Sequence, residues 1–344
     1  MSVVSQSVRK IGGLAVGAAL LCSLTLGSFA SAQDATPMPY TPGTDPSTLS
    51  GSVESDGSST VGPITEAVAE EFGKVASGVQ VTVNISGTGG GFKRFCAGET
   101  DLQNASRSIK DEEAALCAEA GVNYYSFEVA YDGLAILVNP ANDFVNCLTV
   151  AQLNQIWMKD STVDSWNDVD PSFPDQPIAL YGPGTDSGTY DYFTAQINGE
   201  EGVSRTDYTP SEDDNILVEG VAGDENALGF FGLAYYEQNA DKLKLVGVDG
   251  GAGCVTPSVE TVQDLTYTPL SRPLFVYVNA ASLARPEVQE MMRFYLANTA
   301  LLAEEIGYVD SPIDVYLADQ AKLEAAIAGT GTPDGPTAMA TPAS

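Results

Sequence analysis

Between residues 51 and 328 the chain switches hydrophobic period again and again, from two to about 3.6 and back, and few architectures accommodate that alternation. Residues 79–85 (VQVTVNI) alternate apolar and polar side chains as a half-buried strand does. Just before them Ile64, Ala67, Val68, Phe72 and Val75 recur at helical spacing, giving a helix over 61–75 one apolar stripe. Further strands are predicted at 134–138, 178–181, 243–248 and 274–278, and helices at 149–158, 189–197, 286–297 and 314–327. Such alternation implies an α/β fold with largely parallel sheets. Two extended segments, near 131–139 and 265–279, are placed to carry the chain between two lobes. The expected layout is lobe 1 from 51–133 plus 275–328, lobe 2 from 138–268, and a cleft with a hinge across it.

The flanks differ in composition. Residues 1–32 hold Arg9 and Lys10, an apolar run from Ile11 to about Leu26, and Ala30-Ser31-Ala32 before Gln33. A basic start, an apolar stretch and a small-x-small site describe a secretory signal peptide, so the mature protein is expected outside the cytoplasmic membrane, in the periplasm or on the cell-envelope exterior. Residues 33–50 and 329–344 are rich in Pro, Thr, Gly, Ser and Ala without periodicity, and read as a flexible linker and a disordered tail. An exported chain with four further cysteines suggests two disulfides. Nearness in sequence favours Cys96 with Cys117, leaving Cys147 with Cys254.

Charge and composition narrow the chemistry. The 344 residues carry 46 Asp and Glu against 15 Lys and Arg, a formal charge of −31, and no histidine. Nucleic-acid binding rests on Lys and Arg neutralising phosphates, so that class is disfavoured. Without histidine the Ser-His-Asp and Cys-His nucleophile arrangements and the commonest zinc ligand are gone. Hydroxyls, backbone amides, carboxylates and a few cations remain.

Three Gly/Ser/Thr-rich loops stand ahead of predicted helices: 56–60 (DGSST), 86–91 (SGTGGG) and 184–189 (GTDSGT). A helix N-terminus offers unpaired N–H groups and the positive end of a dipole, and glycine lets an anion approach the backbone. Each loop alone is an ordinary cap and turn; their repetition in an exported two-lobe chain points to an anion site. Arg107, one of seven arginines, follows a short predicted strand and offers bidentate hydrogen bonds to an oxyanion. Asp186, inside the third loop, would accept a hydrogen bond from a protonated ligand oxygen and repel a ligand without that proton. Lys93 and Arg94 read as a solvated helix face.

These motifs resemble a known family. GSSTVGPITEAVAEEF (57–72), SGTGGGFKRFCAGETDLQNASR (86–107), VAYDGLAILVN (129–139), LTVAQLNQIW (148–157), YGPGTDSGTYDYF (181–193), ALGFFGLAYY (227–236) and YTPLSRPLFVYV (267–278) are similar to segments of the phosphate-binding proteins of ABC phosphate uptake systems. The resemblance covers nearly all of 51–310. It implies a type 2 periplasmic-binding-protein fold, two α/β lobes joined by two hinge crossover strands, closing over inorganic phosphate for delivery to ABC permease subunits. No cofactor and no covalent chemistry are implied, and a monomer is expected. Carried over by position, Ser59, Thr60 and the backbone at Val61 match the first family loop, and Thr88 and Gly89 the second. Arg107 stands at the strand-end contact, and Ser187, Gly188 and Thr189 match the third loop. The chain departs from the family where well-known members have Asp at the strand end and Arg four residues before the loop serine: here stand Arg107 and Pro183. The resemblance then implies that the charges exchanged lobes, Arg107 supplying the cation and Asp186 the acceptor. Rival readings are a receptor for sulfate or molybdate, a phosphate sensor or adhesin without a permease, and a secreted phosphohydrolase, the last disfavoured by the missing histidine.

Overall fold

A computed structural model describes residues 39–185 and 187–336. The signal peptide expected at 1–32 and Asp186 lie outside them. Among the described residues eleven strands form one curled sheet: β1 (Gly51–Gly57), β2 (Val79–Val83), β3 (Leu102–Ala105), β4 (Tyr124–Val138), β5 (Cys147–Thr149), β6 (Ala179–Pro183), β7 (Thr209–Ser211), β8 (Ala227–Gly232), β9 (Lys244–Asp249), β10 (Cys254–Val255) and β11 (Ser271–Asn279). The path runs β2-β1-β3-β11-β4-β8-β6-β7, with β9 pairing β4, β5 and β10 beside it.

The predicted elements form for the reasons their patterns suggest. The helix Gly62–Val75 opens with Pro63 in its first turn and buries Ile64, Val68 and Phe72 at four-residue spacing. The helix predicted at 286–297 runs on to Ile306, because Thr299, Leu302 and Ala303 continue its buried face and Gly307 ends it in the left-handed conformation. The loop expected at 86–91 is largely helical, within Gly87–Cys96. Gly91 is needed there, since a Cβ would lie 2.6 Å from the Gly57 Cα.

Strand β4 is fifteen residues long, and its first two-thirds pair with β11 while residues 134–138 pair with β8. It feeds two separate cores. Phe127 and Val129 join Val53, Phe72 and Val276 on one side; Leu134, Ile136 and Val138 join Trp157, Phe230 and Val248 on the other. The expectation of largely parallel sheets is corrected here, because half of the ten strand pairings among the described residues are antiparallel. A strand carrying the chain out to the second lobe and one carrying it back must run in opposite directions, so β4 and β11 are antiparallel to each other.

The described parts of both flanks are anchored rather than free. Glu290 is fully buried and accepts hydrogen bonds from the Tyr40 hydroxyl and from the backbone N–H groups of Gly43 and Thr44. A buried carboxylate needs such donors, which ties the chain before β1 to the helix Pro286–Ile306. At the other end Asp334 accepts from the Ser126 N–H and hydroxyl. No helix among the described residues is long and apolar enough to cross a membrane.

Both disulfides pair as nearness suggested, Cys96 with Cys117 and Cys147 with Cys254. The second closes a separation of 107 residues and the first one of 21. Replacing Cys147 and Cys254 by Ser should therefore lower the unfolding free energy in urea by about 2–5 kcal/mol, more than the same change at Cys96 and Cys117; equal losses would contradict a loop-length effect.

Candidate functional site

A cleft of about 680 Å³ lies between the lobes, and Ser271 and Arg272 at the start of the crossover strand β11 form part of its floor. In the β4–β11 register Arg272 stands directly opposite Asp132. Asp132 is buried, and its Oδ2 accepts from Nε of Arg272 at 3.1 Å and from Nη2 at 2.9 Å. Nη2 also donates to Thr60 Oγ1 at 2.8 Å. The guanidinium lies 3.6 Å from the centre of the Tyr192 ring, whose hydroxyl donates to the Pro269 carbonyl at 2.7 Å. Burial pushes the Asp132 carboxyl upward, and Arg272 works against that. A guanidinium carries five N–H groups. Nη1 of Arg272 has no hydrogen-bond partner among the described residues, so two donors remain for a ligand.

The lobe 1 wall is built from the ends of β1 and β3 and the first turn of Gly87–Cys96. Ser59, Thr60, Thr88, Gly89 and Arg107 all line the cleft, together with Ser58, Ser106 and Lys110. Thr88 Oγ1 accepts from the Ser106 N–H at 3.2 Å, which ties the second loop to the strand end. Arg107 is held by Glu113 through two bonds of 2.8 Å each. Burial pushes Glu113 up, but Arg107 and the Lys110 N–H outweigh it and hold the carboxyl below its ordinary range; the bonds to Glu113 in turn raise Arg107. Val61 does not line the cleft; its side chain is buried in the lobe 1 core. Arg94, read as solvated, instead pairs with the buried Asp56, while Lys93 is exposed as expected.

The third loop meets the first directly. At Gly188 an added Cβ would lie 2.6 Å from Thr60 Oγ1 and 2.8 Å from the Thr60 backbone nitrogen, so only glycine permits this approach. Beside it Ser59 Oγ donates to Asp191 Oδ2 at 3.3 Å, a bond from one lobe to the other. Burial and neighbouring Glu201 push the Asp191 carboxyl up, opposed by Ser59 and Arg272. Gly188 lines the main cleft, but Ser187 and Thr189 face a second chamber of about 230 Å³ that also meets Ser59, Gly188, Asp132 and Asp214. The structure thus gathers the three loops around the Thr60–Gly188 contact, with their polar groups divided between two spaces.

Sequence reasoning missed Arg272, Asp132 and Asp191. Arg272 sits in TPLSRPLF, just ahead of a predicted strand, whereas Arg107 stands just after one; a cation flanking a predicted strand at either end was the available signal. The profile of the PBP superfamily domain matches residues 42–299. Protein SphX of Synechocystis sp. is 50% identical over 274 residues, 79% of this chain and 82% of that protein. The phosphate-binding protein PstS of Staphylococcus saprophyticus is 42% identical over 276 residues, 80% and 85% of the two chains. The chain belongs to the PBP superfamily, in its PstS-like branch. A possible phosphate binding protein from Planctomyces limnophilus, solved by crystallography, shares 50% identity with a TM-score of 0.78 over 81% of this chain and 99% of that one. The ABC-type phosphate transport receptor from Vibrio cholerae, 23% identical, shares the fold with a TM-score of 0.56 over 76% of this chain and all of that one.

Two outcomes follow from this geometry. Gly188→Val should hold the lobes apart, giving a larger radius of gyration in small-angle scattering; an unchanged radius would mean that the Thr60 contact does not set the closure. Asp214, half-buried beside Asp213 and Glu212, is pushed up to about 7, chiefly by loss of solvent. Its folded value lies above its unfolded one, so its protonated form favours folding at low pH and that contribution is lost as pH rises toward 7. Asp214→Asn should raise the urea midpoint at pH 8 more than at pH 5; equal shifts would contradict the assignment.

Proposed function

We propose that this protein is an extracytoplasmic receptor that captures inorganic phosphate in the interlobe cleft and passes it to an ABC permease. The observation that carries the proposal is the gathering of Ser59, Thr60, Thr88, Gly89, Arg107 and Arg272 on one cleft of a PstS-like chain. In this reading the lobes comprise 51–133 plus 275–328 and 138–268. Hydroxyls of Ser59, Thr60 and Thr88, with the backbone at Gly89, hold oxygens from lobe 1; Ser187, Gly188 and Thr189 approach from lobe 2 as the Thr60 contact rearranges. Arg272 joins Arg107 as a source of charge-assisted hydrogen bonds, and Asp186 is the acceptor for the protonated oxygen. Since each arginine has a carboxylate partner, the site offers directed donors with little net charge. On lobe 1 and the floor, donors already oriented by their protein partners favour tight capture. Wrapping the ligand from both sides then biases the hinge toward closure. The protein acts as a monomer after export and performs no covalent chemistry.

Titration calorimetry tests this. Orthophosphate should bind and sulfate should compete poorly. Thr60→Val removes one ligand hydroxyl and the Arg272 contact without exposing Asp132, and should weaken phosphate binding about tenfold, roughly 1.4 kcal/mol. Arg272→Gln should weaken it further but also destabilise the fold by about 3–5 kcal/mol, because a buried Asp132 is left unpaired; thermal melts separate the two effects. Absence of any phosphate binding by the wild-type chain would remove the proposal.

A further inference from the structure

We infer that closing of the lobes takes up a proton at Asp214, so that phosphate capture is coupled to pH through a carboxylate outside the ligand cleft. The inference rests on the phosphate reading of the cleft and adds a regulation to it. Three observations carry it.

The first is where Asp214 stands. It opens the helix Asp214–Gly223 of lobe 2 and lines the smaller chamber behind the Thr60–Gly188 contact, not the main cleft. That chamber is shared between the lobes: Ser59 and Tyr308 come from lobe 1, Tyr235 from lobe 2 and Asp132 from β4. Separating the lobes opens the chamber to water, and bringing them together withdraws Asp214 from it.

The second is that nothing around Asp214 balances its charge. Its carboxylate has no hydrogen-bond donor and no ion-pair partner among the described residues. The titratable groups that face it are acids and phenols: Asp213 beside it, Glu212 just after β7, Asp132 on β4, Tyr235 on the helix Leu233–Glu237 and Tyr308 after the helix Pro286–Ile306. Arg272 pairs with Asp132 but does not line the chamber. Asp191, also half-buried between the lobes, differs in having the Ser59 hydroxyl and Arg272 to support its charge.

The third is an acceptor that lacks a donor. Asp132 is 1% exposed, and both bonds from Arg272 go to its Oδ2. Its Oδ1 has no hydrogen-bond partner among the described residues, and a buried acceptor left unpaired costs free energy. A protonated Asp214 supplies an O–H to the space that both residues line, whereas an ionised one brings only another acceptor.

The sign of the coupling follows from burial. With the lobes in contact, loss of solvent and the neighbouring acids push Asp214 up to about 7. Water in an opened chamber returns it toward the ordinary carboxylate range. The closed form therefore binds the proton more tightly, so low pH favours closure and that advantage is lost as pH rises through about 7.

Titration calorimetry of the full exported chain with orthophosphate, in two buffers of different ionisation enthalpy, counts the protons taken up. At pH 7 the wild type should take up about half a proton more per phosphate than Asp214→Asn, which has the same size and does not titrate. The phosphate's own protons cancel in that difference. The affinity of the wild type relative to the variant should fall at least about fivefold from pH 5 to pH 8. In small-angle scattering without ligand, the radius of gyration of the wild type should grow over the same range, and that of Asp214→Asn should grow less. Asp214→Ser is a second variant without a titrating group, and circular dichroism melts confirm that both fold. Equal proton uptake by wild type and variants would overturn the inference and leave the phosphate receptor standing. No phosphate binding, together with a radius whose pH dependence needs Asp214, would overturn the phosphate reading and support the coupling of closure to the proton. Absence of both would overturn both.

Discussion

The pairing of Arg272 with Asp132 is the interaction on which the rest of the site depends. It joins the two strands that connect the lobes, at the register where they pass from one half to the other. From there the guanidinium reaches Thr60 of lobe 1 and the Tyr192 ring of lobe 2. A buried ion pair adds little net stability over an apolar replacement, but losing one partner leaves a costly unpaired charge. The pair therefore acts chiefly to hold a cation in one place on the floor of the cleft. A ligand bound by its free N–H groups would be coupled to both lobes through one side chain.

The Thr60–Gly188 approach divides the interlobe space. In front of it is the cleft with both arginines on its walls; behind it is a smaller chamber with Asp132, Glu212 and Asp214. Any motion of the lobes must change this contact, because neither side has a flexible side chain able to follow. The helix Gly62–Val75 carries Thr60 at its entry, and the helix Gly188–Phe193 begins at Gly188, so two helix starts face each other here. A hinge motion would then alter the donors presented to a ligand and the gap between the lobes together.

A net charge of −31 and a preference for an anion are compatible once the range of each effect is considered. Surface charges separated by more than about 8–10 Å are largely screened at physiological salt. At the site itself the arginines are already neutralised by Asp132 and Glu113. What remains is direction: N–H groups and hydroxyls aimed from loops whose glycines let the backbone come close.

Much of the fold was legible in the sequence. The helix over Ile64, Val68 and Phe72, the strand at Val79, and the disulfide partners follow from periodicity and spacing, which are local properties. Strand direction was less so, because antiparallel pairing of β4 and β11 depends on where the chain returns after more than a hundred residues. Of the candidate site, the glycine and hydroxyl loops announced themselves by composition, and Arg107 by its place at a strand end. Its engagement with Glu113 was not visible, since a helix six residues away had to turn back on it. Sequence alone thus determined the class of the protein: an α/β chain with three donor-rich loops, two disulfides, and no histidine. Only the tertiary structure decided which cation sits at the centre, because Arg272 and Asp132, 140 residues apart, become neighbours only when the two crossover strands are laid side by side.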